Sequence, residues 1–456
     1  MKAKLPLLLA AAFTSVMTLA GCGGHNEEDS GAITVAVLGD QIERNIIKTF
    51  ITEYKKIPGN ENKKISARYM NNYNDYIYNN ALEGTLPDII QVFDYNCAYY
   101  ANTDLDGAGH SLLLPISSYM TRDNVNESDL VDSVVSITKC KNNSSEMCWV
   151  PRDYNKVVVA LNKNIFNAAG VELPSDTWTW ADFLSTCDAL KAKSNVIMQY
   201  TGKDFFWPVD MNLNFEAVYS PILKSYEVDL INPNTKKCFD NKTDEAKTIW
   251  GKLLNMVVDG LASVPPKGED KYPFSGKQSA MMFITRPDLP SYVESLGGSA
   301  LDFVALPSYE DLNEGQKSYI GMGCTGYGMT PFCAKSKRDA AWDFLKFIIS
   351  EDGQNAFSKM GSGIPCLKSL LNDPNAEFTK YISADINHHA FVAYPERDLL
   401  ATYFLEGINT EKQGAIYKYF RDHVLKDFIE SGDNDTYIIK DAYYNTLKSN
   451  VEALLR

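Results

Sequence analysis

The sequence predicts an α/β protein built as two lobes. Three observations carry that prediction. Short β-branched strands alternate with amphipathic helical stretches between residues 32 and 93, which calls for a parallel sheet with helices packed on its faces. The same alternation begins again at residues 157–161 with new material. The chain is 456 residues long, roughly three times the usual domain length, and it has no low-complexity linker. Two lobes joined in this way imply that the chain crosses between them more than once.

Residues 1–21 read as a secretory signal. Lys2 and Lys4 precede an apolar run ending in Leu19-Ala20-Gly21-Cys22, which is too short and too diluted by Ala, Thr and Ser to span a bilayer. Residues 22–31 then form a polar tether through Gly23, Gly24 and Asn26-Glu27-Glu28-Asp29-Ser30. The first strand, residues 32–38, is turned by Gly39-Asp40, after which Ile42, Ile46, Ile47, Phe50 and Tyr54 recur at helical spacing. A second strand covers 64–70, a Tyr/Asn-rich helix 74–82, and Gly84 and Pro87 end that segment. Asp88-Ile89-Ile90-Gln91-Val92-Phe93 is the third strand. Ligands of such sheets sit outside the carboxyl ends of the strands. Asp40 at the first turn, and Asp94, Tyr95 and Asn96 at the third, are therefore candidate binding residues.

Further along, the polar stretch bracketed by Cys140 and Cys148 has the character of a hairpin tip, and these two cysteines are expected to pair. Residues 157–161 form a strand and 164–169 a short helix ended by Gly170, while Thr179 and Asp182 have the spacing of a capping box. Ala341, Phe344, Leu345 and Ile348 share one helical face, and residues 378–456 read as mostly helical.

Composition narrows the function. Lys+Arg 44 against Asp+Glu 58 gives a net charge of −14, so no basic field is available for a nucleic-acid partner. Apolar residues at 45% and charged residues at 22% are ordinary globular values. Beyond Cys22 there are eight cysteines: Cys97, Cys140, Cys148, Cys187, Cys238, Cys324, Cys333 and Cys366. An even count in an exported chain favours disulfides, and Cys97 is expected in a long-range bridge with Cys324, Cys333 or Cys366. No Cys-x-x-Cys or His-x-x-x-His spacing occurs, so neither a metal site nor a cofactor is expected.

Several segments together resemble one family. They are Val150-Pro151-Arg152-Asp153-Tyr154-Asn155-Lys156, Ala160-Leu161-Asn162-Lys163-Asn164-Ile165-Phe166, Thr177-Trp178-Thr179-Trp180 and Pro87-Asp88-Ile89-Ile90. The stretches Phe274-Ser275-Gly276-Lys277-Gln278-Ser279-Ala280-Met281, Gly321-Met322-Gly323-Cys324-Thr325-Gly326-Tyr327, Ala340-Ala341-Trp342-Asp343-Phe344-Leu345-Lys346-Phe347 and Gly361-Ser362-Gly363-Ile364-Pro365 complete the set. In this order they resemble the extracellular solute-binding lipoproteins of ABC importers, in the carbohydrate branch that includes maltose-binding protein. The likeness runs from about residue 32 to about 370, and more loosely to the end. Eight mature cysteines and a longer loop at 103–113 depart from it.

The resemblance implies a periplasmic-binding-protein-like fold of type II, with a cleft between lobes that close by a hinge. Residues 32–137 and 329–373 would form the N-terminal lobe, and 138–328 and 374–456 the C-terminal lobe. It also implies a monomer that captures a sugar and delivers it to ABC permease subunits, held to the membrane by a lipid on Cys22 at the end of a lipobox. Asp40 and Gln41 match the sugar-contacting turn after the first strand, and Asp94, Tyr95 and Asn96 the turn after the third. Arg152, Asp153 and Tyr154 enter the cleft with the second lobe, Trp207 is a candidate stacking platform, and Arg286 follows the strand at Met281. Two readings from other classes stand beside this one. An enzyme of the same fold, as in thiaminase I, would use Cys97 as nucleophile, and a ligand-sensing lipoprotein would bind without transport.

Overall fold

The computed structural model describes residues 31–102, 111–140, 143–213, 215–232, 234–240, 242–263, 272–382, 386–405, 408, 410–431 and 441–456. The signal, most of the tether with Cys22, and most of the loop at 103–113 lie outside the described residues. In chain order the strands are β1 (Ile33–Leu38), β2 (Ile65–Met70), β3 (Ile89–Phe93), β4 (Lys139–Cys140), β5 (Asn143–Met147), β6 (Val150–Pro151) and β7 (Asn155–Lys156). They continue as β8 (Val158–Asn162), β9 (Trp207–Asp210), β10 (Ser279–Ile284), β11 (Leu301–Ala305), β12 (Ile320–Gly323), β13 (Thr325–Met329) and β14 (Asp398–Leu400).

The first lobe is a five-stranded sheet in the order β2-β1-β3-β13-β6. β1 lies parallel to both β2 and β3, as the strand–helix alternation predicts, while β13 runs antiparallel to β3 and β6. On one face the helix Gln41–Lys56 buries Ile46, Ile47, Phe50 and Tyr54. Its start is fixed by Asp40, whose carboxylate accepts the Glu43 amide at 2.8 Å. Tyr54 meets Phe344 edge-on at 5.3 Å, so the helix Arg338–Ile348 returns to the first lobe late in the chain.

The second lobe carries the sheet β11-β8-β10-β9 and its own core. Its helix Trp180–Ala192 opens with the expected capping box, Thr179 and Asp182 each satisfying the other's backbone. The C-terminal segment differs from expectation. Among its described residues, 386–405 hold short helical turns and β14, and long helices come at Thr410–Ser431 and Asp441–Leu455. Pro395 is one reason, and the pairing of β14 with β12 is the other, because an extended segment there completes a sheet edge.

The two lobes meet at a three-stranded sheet, β14-β12-β7. β6 belongs to the first sheet and β7 to this one, with Arg152-Asp153-Tyr154 between them. β12 and β13 change sheets in the same way, with Cys324 alone between them. At the glycines beside these passages there is no room for a side chain. A Cβ on Gly321 would stand 2.0 Å from the Ala217 carbonyl oxygen, and one on Gly326 2.0 Å from that of Val150.

Cys140 and Cys148 form a disulfide across the β4–β5 hairpin. The expected bridge from Cys97 is not made. Its thiol donates to the Asp94 carbonyl at 3.2 Å, while Cys366 is held by Pro151 O and Gln354 Oε1, and Cys324 and Cys333 each face the carbonyl of the next residue. Among the described residues Cys140–Cys148 is the one disulfide, and the even cysteine count does not translate into four bridges. Burial in the cores explains the remaining thiols, which behave as small apolar side chains.

Candidate ligand-binding site

Register brings the candidate turns of the first lobe together. Ala36 lies opposite Ile90 in the parallel β1–β3 pair, so Asp40 and Asp94 leave the sheet at the same edge. Asp40 and Gln41 are exposed on this rim. Asp40 caps its helix, and Gln41 Nε2 donates to Asn45 Oδ1 at 2.8 Å. Asn96 is buried and shapes the turn, accepting the Phe93 amide at 2.9 Å and donating to Tyr100 Oη at 3.0 Å. Asp94 and Tyr95 are left to face the other lobe.

That lobe answers with Glu216, Tyr417 and Arg421. Tyr95 stacks on Phe93 at 5.3 Å and on Tyr417 at 4.9 Å, giving three near-parallel rings that run from one lobe to the other. Tyr417 donates its hydroxyl to Glu216 Oε1 at 3.0 Å, and the Arg421 guanidinium lies 5.8 Å from the Tyr417 ring centroid. The Asp94 carboxyl is pushed up to about 7, chiefly by burial and next by the negative Glu216, while the amides of Tyr95 and Cys324 oppose the shift. Glu216 is also raised by burial, against help from its own amide, Tyr417 and Arg421.

The residues at the crossing are spent on structure. Arg152 is buried between Glu43 and Asp153, with Nη2–Oε1 of Glu43 at 3.2 Å and Nη2–Oδ2 of Asp153 at 2.8 Å. Asp153 Oδ1 accepts the Thr325 amide at 2.7 Å, tying the two passages together. Tyr154 donates to Asp398 Oδ2 at 2.6 Å, and Lys156 pairs with the same carboxylate at 2.5 Å. These three side chains hold the crossing rather than line the cleft.

Two further expectations are corrected. Arg286 is 0% exposed, and its donors go to Gly361 O at 2.8 Å, Phe378 O at 2.6 Å and His388 Nδ1 at 2.9 Å. It faces neither cleft nor solvent. Trp207 lies opposite Ser279, whereas the other end of β10 lies opposite Val158 beside the crossing. The indole is therefore at the far end of its sheet, where it stacks at 6.3 Å on the exposed Phe205. Residues at the opposite, carboxyl end of β9 lead instead to Glu216. The rule that selects Asp94 after β3 selects Glu216 after β9 equally well. Tyr417 and Arg421 were detectable only as an i,i+4 pair in a tyrosine-rich helix.

Between the lobes is a cavity of about 700 Å³, within the range of small-molecule sites. Asp94, Tyr95 and Cys97 line it from the first lobe, Met322 and Leu400 from the crossing sheet, and Thr402 from the segment beyond. A groove of about 580 Å³ on which Asn74, Tyr78 and Tyr99 open shares Tyr95 as a wall.

Two α/β sheets, a narrow crossing and an acid- and tyrosine-lined cavity between them define a two-lobed binding protein. The chain belongs to the bacterial extracellular solute-binding protein family, whose model matches residues 50–385. Its place is accordingly outside the cytoplasm. The fold is similar to that of Lmo0181, an ABC substrate-binding protein from Listeria monocytogenes in complex with cycloalternan. The TM-score is 0.65 at 16% identity, covering 92% of this chain and 98% of that one. It is also similar to maltose-bound MalE3 of T. maritima (TM-score 0.64, 14% identity, 93% and 100% covered). UgpB from Mycobacterium tuberculosis in complex with glycerophosphocholine is a third (TM-score 0.66, 15% identity, 93% and 98% covered).

Proposed function

We propose that this protein captures a sugar between its lobes and delivers it to the permease subunits of an ABC importer, without catalysing a reaction. The observation that carries this reading is the Tyr95–Tyr417 pair beside Asp94 and Glu216, with one member of each pair from each lobe. Tyrosine hydroxyls and ring edges suit the polar and C–H groups of a sugar, and carboxylates accept its hydroxyls. Sugar-bound relatives of the same fold support the choice of ligand. Asp40 and Gln41 complete the rim.

We assign 32–137 with 329–373 to the first lobe and 138–328 with 374–456 to the second, corrected in that β6 and β13 are strands of the first sheet and the β4–β5 hairpin packs on the first core. Closure turns about Arg152-Asp153-Tyr154 and Cys324. The protein acts as a monomer, exported by residues 1–21 and anchored through a lipid on Cys22. A thermal-shift screen against mono-, di- and oligosaccharides tests the ligand class, since a ligand bound only by the native state raises the melting temperature. X-ray scattering should then show a smaller radius of gyration at saturating ligand. No stabilisation by any sugar would refute the reading.

A further inference from the structure

Among the described residues the charges around the cleft do not balance. Each cation that reaches it already faces an acid. Arg152 lies against Glu43 and Asp153, Lys156 against Asp398, Lys139 against Glu127, and Arg421 and Lys418 share Asp422. The acids are not matched in return. The Asp94 carboxylate accepts the amides of Tyr95 and Cys324 and lies near two further acids, Glu216 and Asp153. Asp153 is satisfied by Arg152 and the Thr325 amide. Glu216 has the Tyr417 hydroxyl, with Arg421 in its neighbourhood but paired to Asp422. Among the described residues no lysine or arginine forms an ion pair with Asp94. A half-buried carboxylate among further acids is unfavourable unless it is protonated or meets a positive charge.

A second, independent observation points into the same cavity. Thr402 is 4% exposed and lines the cavity, and its hydroxyl has no hydrogen-bond partner. Buried hydroxyls are normally satisfied, so one left open on a cavity wall marks a place where a ligand atom belongs.

We infer that the captured solute carries a positive charge: it is a sugar bearing a protonated amine, seated with its ammonium group against Asp94 and a hydroxyl or ring oxygen at Thr402. The inference rests on the sugar reading and adds the charge. A neutral sugar would leave the excess acid of the cavity uncompensated, whereas an amino sugar supplies the missing cation.

Titration calorimetry on the full chain tests this with matched probes that differ only in charge. The pairs are glucosamine with N-acetylglucosamine, and the β-1,4-linked glucosamine trimer with its N-acetylated counterpart. The amine member of at least one pair should bind about tenfold more tightly, a difference of about 1.4 kcal/mol. Asp94→Asn should erase most of that advantage and Asp94→Glu should retain it, with thermal melts confirming that both variants fold. Equal or tighter binding of the acetylated member, or an advantage unchanged in Asp94→Asn, overturns the inference. Maltose or glucose binding without any preference for amines sinks the charge argument and leaves the sugar reading intact. Binding of choline or spermidine, with no sugar of either kind bound, sinks the sugar reading and keeps the cation. No binding by any probe overturns both.

Discussion

Tyr95 and Tyr417 lie face to face, with ring centroids 4.9 Å apart and planes 13° from parallel, although one follows the third strand of the first lobe and the other sits in the helix Thr410–Ser431. The neighbours of Tyr417 on that helix, Ile416 and Phe420, are in the second core. The stack is thus a contact between lobes.

Tyr417→Ala should weaken sugar binding by about 0.5–1.5 kcal/mol from lost ring contact alone. It should move the melting temperature of the free protein little, because the ring is only half-buried. Calorimetry together with a thermal melt checks both halves. A variant that binds as tightly as the parent would remove this stack from the site.

Asp94 makes stability depend on pH in a definite direction. Its folded value, about 7, lies above the ordinary 3.8, so between those values the native state holds more protons than the unfolded chain. Its contribution is therefore complete below about pH 4 and is lost as pH rises through about 7. Asp210 and Asp288, each raised to about 6 by burial, act in the same sense. Urea denaturation from pH 4 to 8 should show a shallower fall for Asp94→Asn than for the parent, with Asp210, Asp288 and the likewise raised Glu216 contributing to the remainder.

Arg152 is the cation on which the crossing depends. Replacing it with Met leaves Glu43 and Asp153 buried without their partner, which should cost about 3–5 kcal/mol in denaturant. The double variant Arg152→Met with Glu43→Gln should recover part of that loss. Full stability in the single variant would mean that water reaches these acids.

The thiols separate binding from catalysis. Native protein treated with iodoacetamide, without reductant, should remain unmodified at Cys97, Cys324 and Cys366, all of which are buried. Mass spectrometry should also recover Cys140 and Cys148 as a linked pair, and reducing it should cost roughly 2–3 kcal/mol of stability. Rapid modification of Cys97 alone would instead favour a nucleophilic role.

The parts of this molecule that could be read from sequence are those that depend on neighbours along the chain. The strands at 32–38 and 88–93 carry their own periodicity, and the turns at Asp40 and Asp94 follow from where those strands stop. The hairpin disulfide and the capping box at Thr179 are local in the same way. Arg286 and Trp207 were misplaced because residue type says nothing about direction. A guanidinium suits a cleft chemically, but this one points at carbonyls from a segment far along the chain. The pairing of Tyr95 with Tyr417, or of Asp94 with Glu216, exists only once both lobes are assembled. No spacing rule connects such distant positions.

The single residue between β12 and β13 sets a tolerance for the whole molecule. Gly323 is in register with Asn155 on one side of Cys324, and Gly326 with Pro151 on the other, so the two passages are geared to each other like teeth. One amino acid inserted after Cys324 would have to slip β13 by a step against β3 and β6, turning the fully buried Tyr327 toward the opposite face of the sheet. The loops of either lobe are free to lengthen, but the distance between the lobes along the chain is not.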